Sequence, residues 1–198
     1  LRNYIDHDTS KLENSQCFFS SEGALLSYSH RIKGKSWLKI RYSATNLYYN
    51  ANFTEFDTQI SQIDLRLYTS ILNFLNSFYG GISKGENVTF DSGYLTTTTD
   101  RSYIERQYGF SAKKNIKSKV INQFGFSSII KNRIYETESV VDALHNGREH
   151  IEYNMMFWIK KEINTIDISA KFKYRSRDVT SDYEWVRELK EFNKFEVI

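Results

Sequence analysis

Asp91-Ser92-Gly93-Tyr94-Leu95-Thr96-Thr97-Thr98-Thr99-Asp100 is the stretch on which the reading of the fold turns. Four consecutive threonines follow the aromatic and aliphatic residues Val88, Phe90, Tyr94 and Leu95, and β-branched side chains favour an extended backbone. A strand here carries hydroxyls on both faces, so it predicts the floor of a polar pocket.

Upstream, Ala24 to Ile32, a Lys33-Gly34-Lys35-Ser36 turn and Trp37 to Tyr42 read as strand, turn, strand. Within the second strand Trp37, Lys39 and Arg41 share one face and Leu38, Ile40 and Tyr42 the other. From Asn52 the period changes. Ile60, Ile63, Leu67, Ile71, Leu75 and Phe78 recur at three and four residues, which predicts an amphipathic helix capped at Thr54 or Asp57 and stopped by Gly80-Gly81.

Apolar residues at helical spacing predict further helices within 111–150, beyond the basic run Lys113 to Lys119. The last third returns to strands at Tyr153 to Lys161, Thr165 to Tyr174, Tyr183 to Leu189 and Lys194 to Ile198. In the first of these Met155, Phe157 and Ile159 alternate with Asn154, Met156, Trp158 and Lys160, so both faces are largely apolar and the strand is expected to be central. Near the end, Asp182 and Glu184 stand two apart in an expected extended stretch and project to the same side.

Taken in order, these pieces resemble the mono-ADP-ribosyltransferase toxins of the cholera and pertussis type. Lys39-Ile40-Arg41-Tyr42 resembles that family's arginine strand, Tyr94-Leu95-Thr96-Thr97-Thr98 its hydroxyl strand, and Asp182-Tyr183-Glu184 with Lys194-Phe195-Glu196-Val197 its acid-x-Glu turn and closing strand. The resemblance covers Trp37 to Ile198. It implies an α+β fold, an ADP-ribosyltransferase-like mixed core of two packed β-sheets with flanking helices. The expected organisation is an extension or cap over 1–22 and one catalytic domain over 23–198 with a helical insertion near 111–150.

The same resemblance implies transfer of ADP-ribose from NAD to a macromolecular acceptor, protein before nucleic acid. Glu184 would stabilise the oxocarbenium-like ribose, and Asp182 would align the nucleophile. Arg41, or alternatively Arg31, would anchor the cofactor; Thr96 would orient Glu184 and Arg41, with Thr98 supporting the pocket. Tyr103, Tyr108 or Phe110 would stack on the nicotinamide half. An immunity protein or delivery subunit would complete a toxin or effector that is secreted or delivered and acts in a target-cell cytosol. Two rivals stand beside it: an NAD glycohydrolase, and an inactive binding module on the same fold.

Composition narrows the setting. The 198 residues suffice for one sizeable domain, with 40% hydrophobic and 26% charged side chains and a formal net charge of +3. Lysines and arginines are spread along the chain, which gives nucleic-acid binding no focus beyond Lys113 to Lys119. Cys17 is the single cysteine, so no internal disulfide and no thiolate metal cage can form. His145 and His150 lack a third nearby ligand for zinc. No apolar run approaches the length of a membrane-spanning helix. A chain opening on Leu1 is expected to be an excised domain or processed product.

Overall fold

A computed structural model describes residues 19–49, 57–88, 90–91, 94–95, 100–116, 118, 120–163 and 166–198. Nine strands form one antiparallel sheet: β1 (Phe19–Arg31), β2 (Trp37–Tyr49), β3 (Thr58–Ile71), β4 (Phe74–Asn87), β7 (Tyr103–Asn115), β8 (Gln123–Tyr135), β9 (Glu149–Ile163), β10 (Ile166–Thr180) and β11 (Phe192–Val197). Their spatial order is their chain order, so every connection joins neighbours. A two-residue pair, β5 (Phe90–Asp91) with β6 (Tyr94–Leu95), stands apart, and the helix described is α1 (Glu184–Lys190).

The two ends of the sheet differ. Connections 32–36, 72–73, 116–122 and 164–165 are short, and Leu72 and Asn73 both take positive φ, 52° and 63°, as a two-residue hairpin turn demands. At the opposite end the connections 50–57, 88–102, 136–148 and 181–191 are longer. Apolar side chains that are buried lie at this end: Tyr135 closes β8, Val179 stands near the end of β10, and Val186 of α1 is fully enclosed.

The two faces of the sheet are inverted relative to a water-soluble sandwich. One transverse row runs Ser27, Arg41, Asp64, Gly81, Gln107, Lys131, Glu152, Arg177, Phe192 through all nine strands. The same face holds the buried polar groups Asp64, Ser83, Glu105, His150 and Glu152. The opposite face offers the row Tyr28, Ile40, Leu65, Gly80, Tyr108, Ile130, Tyr153. It adds Leu26, Ile63, Phe78, Phe157, Phe172 and Phe195, all large, apolar and exposed, with Leu26 at 70% and Phe195 at 79%. Groups on the polar face are buried because the sheet curls around them: among the described residues the helix contacts β10, and no second sheet packs on either face.

Glycines let that curled face fill. Gly85 lies opposite Tyr103, and Gly125 opposite Trp158, with the ring in each case occupying the place of the missing side chain.

This architecture corrects several expectations. The α+β core of two packed sheets is replaced by a single antiparallel sheet. Asn52 to Phe56 lie outside the described residues, and from Thr58 onward the helix expected from Asn52 to Phe78 is β3 and β4. Its stripe Ile63, Leu67, Ile71 belongs equally to an alternation that includes Leu65, and Gly80-Gly81 lie inside β4 instead of ending a helix. Where a helical insertion was expected over 111–150 stand the end of β7, all of β8 and a turn. The strand expected from Tyr183 to Leu189 is α1. The cap expected over 1–22 gives way to β1 from Phe19 onward, and residues 1–18 lie outside the described residues.

Candidate functional site

Polar residues on the inner face connect laterally. Arg41 Nε donates to Asp64 Oδ2 at 2.8 Å, and Gln62 Nε2 donates to the same oxygen and to Tyr79 Oη, both at 3.3 Å. Tyr79 Oη donates to Gln107 Oε1 at 3.1 Å, and Gln107 in turn donates to Glu105. Glu105 Oε2 accepts from Arg133 Nε at 2.9 Å and Nη2 at 2.7 Å. A chain of hydrogen bonds, charge-assisted at both ends and neutral through Tyr79 in the middle, thus crosses from β2 to β8.

It leads to a cavity of about 710 Å³ at the end with the long connections. Eight cationic side chains line it, Arg101, Lys131, Arg133, Arg148, Arg175, Arg177, Lys190 and Lys194, against the two carboxylates Glu105 and Glu152. Both acids are committed. Glu105 holds Arg133, and Glu152 accepts from Arg175 Nη2 at 3.2 Å, Arg177 Nη2 at 2.9 Å and Asn154 Nδ2 at 2.8 Å. Tyrosine rings carry the remaining burden of charge: the Arg133 guanidinium lies 3.8 Å from the centre of Tyr103, and that of Arg148 lies 4.1 Å from the centre of Tyr135.

The connections at this end are tied to one another. Asp142 accepts from Nδ1 of His145 at 2.9 Å and from the backbone N–H of Asp100 at 2.9 Å, while Asn87 N–H donates to Ser102 Oγ at 3.1 Å. His145 is 2% exposed. Burial holds its imidazole below its ordinary value despite Asp142. Burial likewise lowers the proton affinity of Arg148, with Tyr135 opposing and Arg177 and Arg133 adding to the effect. The Lys190 ammonium, buried where α1 meets the cavity, is pushed down to about 8.

The residues singled out in the sequence are distributed around this frame. Arg41 is on the inner face of β2, engaged with Asp64; Arg31 ends β1 and donates to Gly34 O at 2.9 Å. Asp182 and Glu184 are exposed at and before the start of α1, with five strands between β2 and β10, the strand that precedes them. They do not share a face with Arg41: Glu184 is helical, which removes the same-side projection of an extended pair. Tyr103 does stand at the cavity cluster, beneath Arg133, whereas Tyr108 is 60% exposed on the apolar face. Thr96 and Thr98 lie outside the described residues. The sequence reading passed over Arg133, Arg148, Glu152, Arg175 and Arg177. A usable signal existed, because Arg175 and Arg177 alternate with Tyr174 and Ser176, and Glu152 and Asn154 with Ile151 and Tyr153.

No family model and no curated protein matches the sequence. Among solved structures, the beta domain of the Bordetella autotransporter Brka aligns with a TM-score of 0.42 and 6% identity, over 91% of this chain and 76% of that one. The ADP-ribosyltransferase assignment is therefore withdrawn: a single all-antiparallel sheet replaces that family's mixed core, and the comparisons bring no transferase. The expectations of NAD, a macromolecular acceptor and an immunity or delivery partner rested on that resemblance alone. The same holds for action in a target-cell cytosol.

Proposed function

We propose that this chain forms the wall of a membrane-embedded β-barrel of the outer-membrane type, enclosing a polar interior with a cationic vestibule at one mouth. The observation that carries the reading is the inverted pleat, apolar outside and charged inside, sustained over neighbouring strands. In water such an outer face would be a severe liability, since contiguous exposed apolar area marks a surface that some other phase covers. Hydrocarbon covers it without a partner protein.

Dimensions agree. The eight long strands run 13 to 15 residues. At about 3.3 Å per residue and a tilt of about 45°, they rise about 30–35 Å, close to the roughly 30 Å hydrocarbon core. Short turns at one end and long connections at the other repeat the asymmetry of such barrels, whose longer loops face outward. Within the sheet, every strand from β2 to β9 is paired on both sides, the condition for a strand to enter lipid, while β1 and β11 stand at the two edges.

Cysteine labelling of the full-length protein in its native membranes tests the reading. With Cys17 replaced by Ser, Gln62→Cys on the inner face should react with a water-soluble maleimide and Leu65→Cys on the outer face should not. Equal reaction at both positions, or recovery of the protein in the soluble fraction, overturns it.

A further inference from the structure

We propose that the vestibule is a binding site for a water-borne oxyanion of the phosphate class, gripped by Arg148 and Arg177 with Arg133 beside them. The proposal takes the vestibule as the solvent-filled mouth described above, and so rests on that reading for access, though not for chemistry.

Arg148 is the pivot. Its side chain is 2% exposed, yet its Nε and Nη1 have no hydrogen-bond partner, and among the described residues no carboxylate reaches it. Its described side-chain partner is Tyr135, which lies under the guanidinium and supports it through ring face and hydroxyl, leaving Nε and Nη1 without an acceptor. Arg177 repeats the pattern in part: Nη2 is spent on Glu152, while Nε is buried without an acceptor. A native fold rarely leaves several charged donors unsatisfied in one place. What is missing at all of these atoms is an acceptor with several oxygens.

The surroundings select its charge and shape. Both acids of the lining are engaged by Arg133, Arg175 and Arg177, and Lys131 and Arg148 meet no carboxylate among the described residues, which favours a ligand of more than one negative charge. Arg133 and Arg177 lie close enough to Arg148 to disfavour its protonated form, a repulsion that an anion between them would relieve. Guanidinium forks match the oxygen spacing of phosphate, and a planar fork is pre-organised for that geometry. The site opens from the polar face and not from the apolar belt, so its ligand arrives from water and not laterally from lipid. At about 710 Å³ the cavity exceeds a bare phosphate, leaving room for an organic group attached to it.

The experiment is a thermal-unfolding titration of the purified full-length protein with inorganic phosphate at constant ionic strength, chloride being the compensating salt. Tm should rise and saturate with phosphate, with half-saturation at least tenfold below that for chloride. Arg148→Met should fold, lose the saturable shift, and show an unliganded Tm equal to or above that of the wild type, because a cation without a counter-ion has been removed. Arg177→Gln should weaken the shift by tenfold or more. A linear, anion-independent rise, or full retention of saturation in Arg148→Met, overturns the proposal. Barrel insertion is followed in parallel by the labelling pattern of Gln62→Cys and Leu65→Cys. Correct labelling without phosphate binding sinks the site and spares the barrel; phosphate binding by a protein that is soluble without detergent does the reverse.

Discussion

Arg41 and Asp64 face each other directly across β2 and β3, joined at 2.8 Å, with Asp64 only 5% exposed. Removing the arginine leaves a buried carboxylate that keeps one long bond from Gln62 at 3.3 Å. Arg41→Met is therefore expected to lower unfolding free energy by about 2 kcal/mol, in the range for hydrogen bonds to charged groups. Arg41→Met with Asp64→Asn should recover part of that loss, since the stranded charge goes with it. Denaturant midpoints for the two variants check the order.

Trp158 lies over Gly125, so a Cβ at that position would run into the indole. Gly125→Val is expected to cost about 1–3 kcal/mol, the usual penalty for overpacking. It should also shift Trp158 emission toward the red as the ring is displaced into the interior water. Unfolding curves and fluorescence spectra on the variant measure both effects, and an unmoved spectrum would show that the ring does not depend on the glycine.

Much of this strand pattern can be read from the residues, but not which side of it faces water. Trp37, Lys39 and Arg41 against Leu38, Ile40 and Tyr42 give the two faces of β2 correctly, whereas β9, expected to be apolar on both faces, carries His150 and Glu152 on its inner one. Alternation alone cannot distinguish a core from a lipid-facing belt, because each is simply the apolar side. The test for a membrane span looks for about 20 consecutive apolar residues, a helical criterion to which an alternating strand is blind. At Ile63, Leu67 and Ile71 a four-residue step is also twice a two-residue step, so β3 satisfied the helical stripe as well. The vestibule was harder still. Its arginines come from β8, the 136–148 turn and β10, and only the register between strands brings them together.

Position within the pleat should decide the effect of a new charge. Leu65, 46% exposed in the middle of the apolar belt, is expected to lose about 2–4 kcal/mol on substitution by Arg, the penalty for a cation near the bilayer midplane. Ser43, on the inner face of β2 between Leu25 and Gln62, should accept Arg within about 0.5 kcal/mol, the usual scatter for surface changes. Comparing folded yield of Leu65→Arg and Ser43→Arg in lipid vesicles separates the faces. Equal losses would argue against hydrocarbon on either one.

Stability should depend on pH through the short helix at the vestibule. Lys190 ends α1 and is 7% exposed, and burial brings its ammonium down to about 8 from an ordinary 10.5. Its folded-state value is thus depressed. Between pH 8 and 10.5 the unfolded chain binds more protons at this position than the folded one, so stability should rise with pH across that window. Above it the contribution is complete; below pH 8 both states are protonated and the folded one holds a buried cation. Lys190→Met removes the group while keeping an unbranched chain against Leu189 and the cavity wall. It should raise the denaturant midpoint below pH 8 and flatten the rise between 8 and 10.5 relative to the parent. Parallel unfolding at pH 7, 9 and 10.5 reads the difference; parallel curves for parent and variant would mean that Lys190 stays hydrated and α1 does not seal the vestibule.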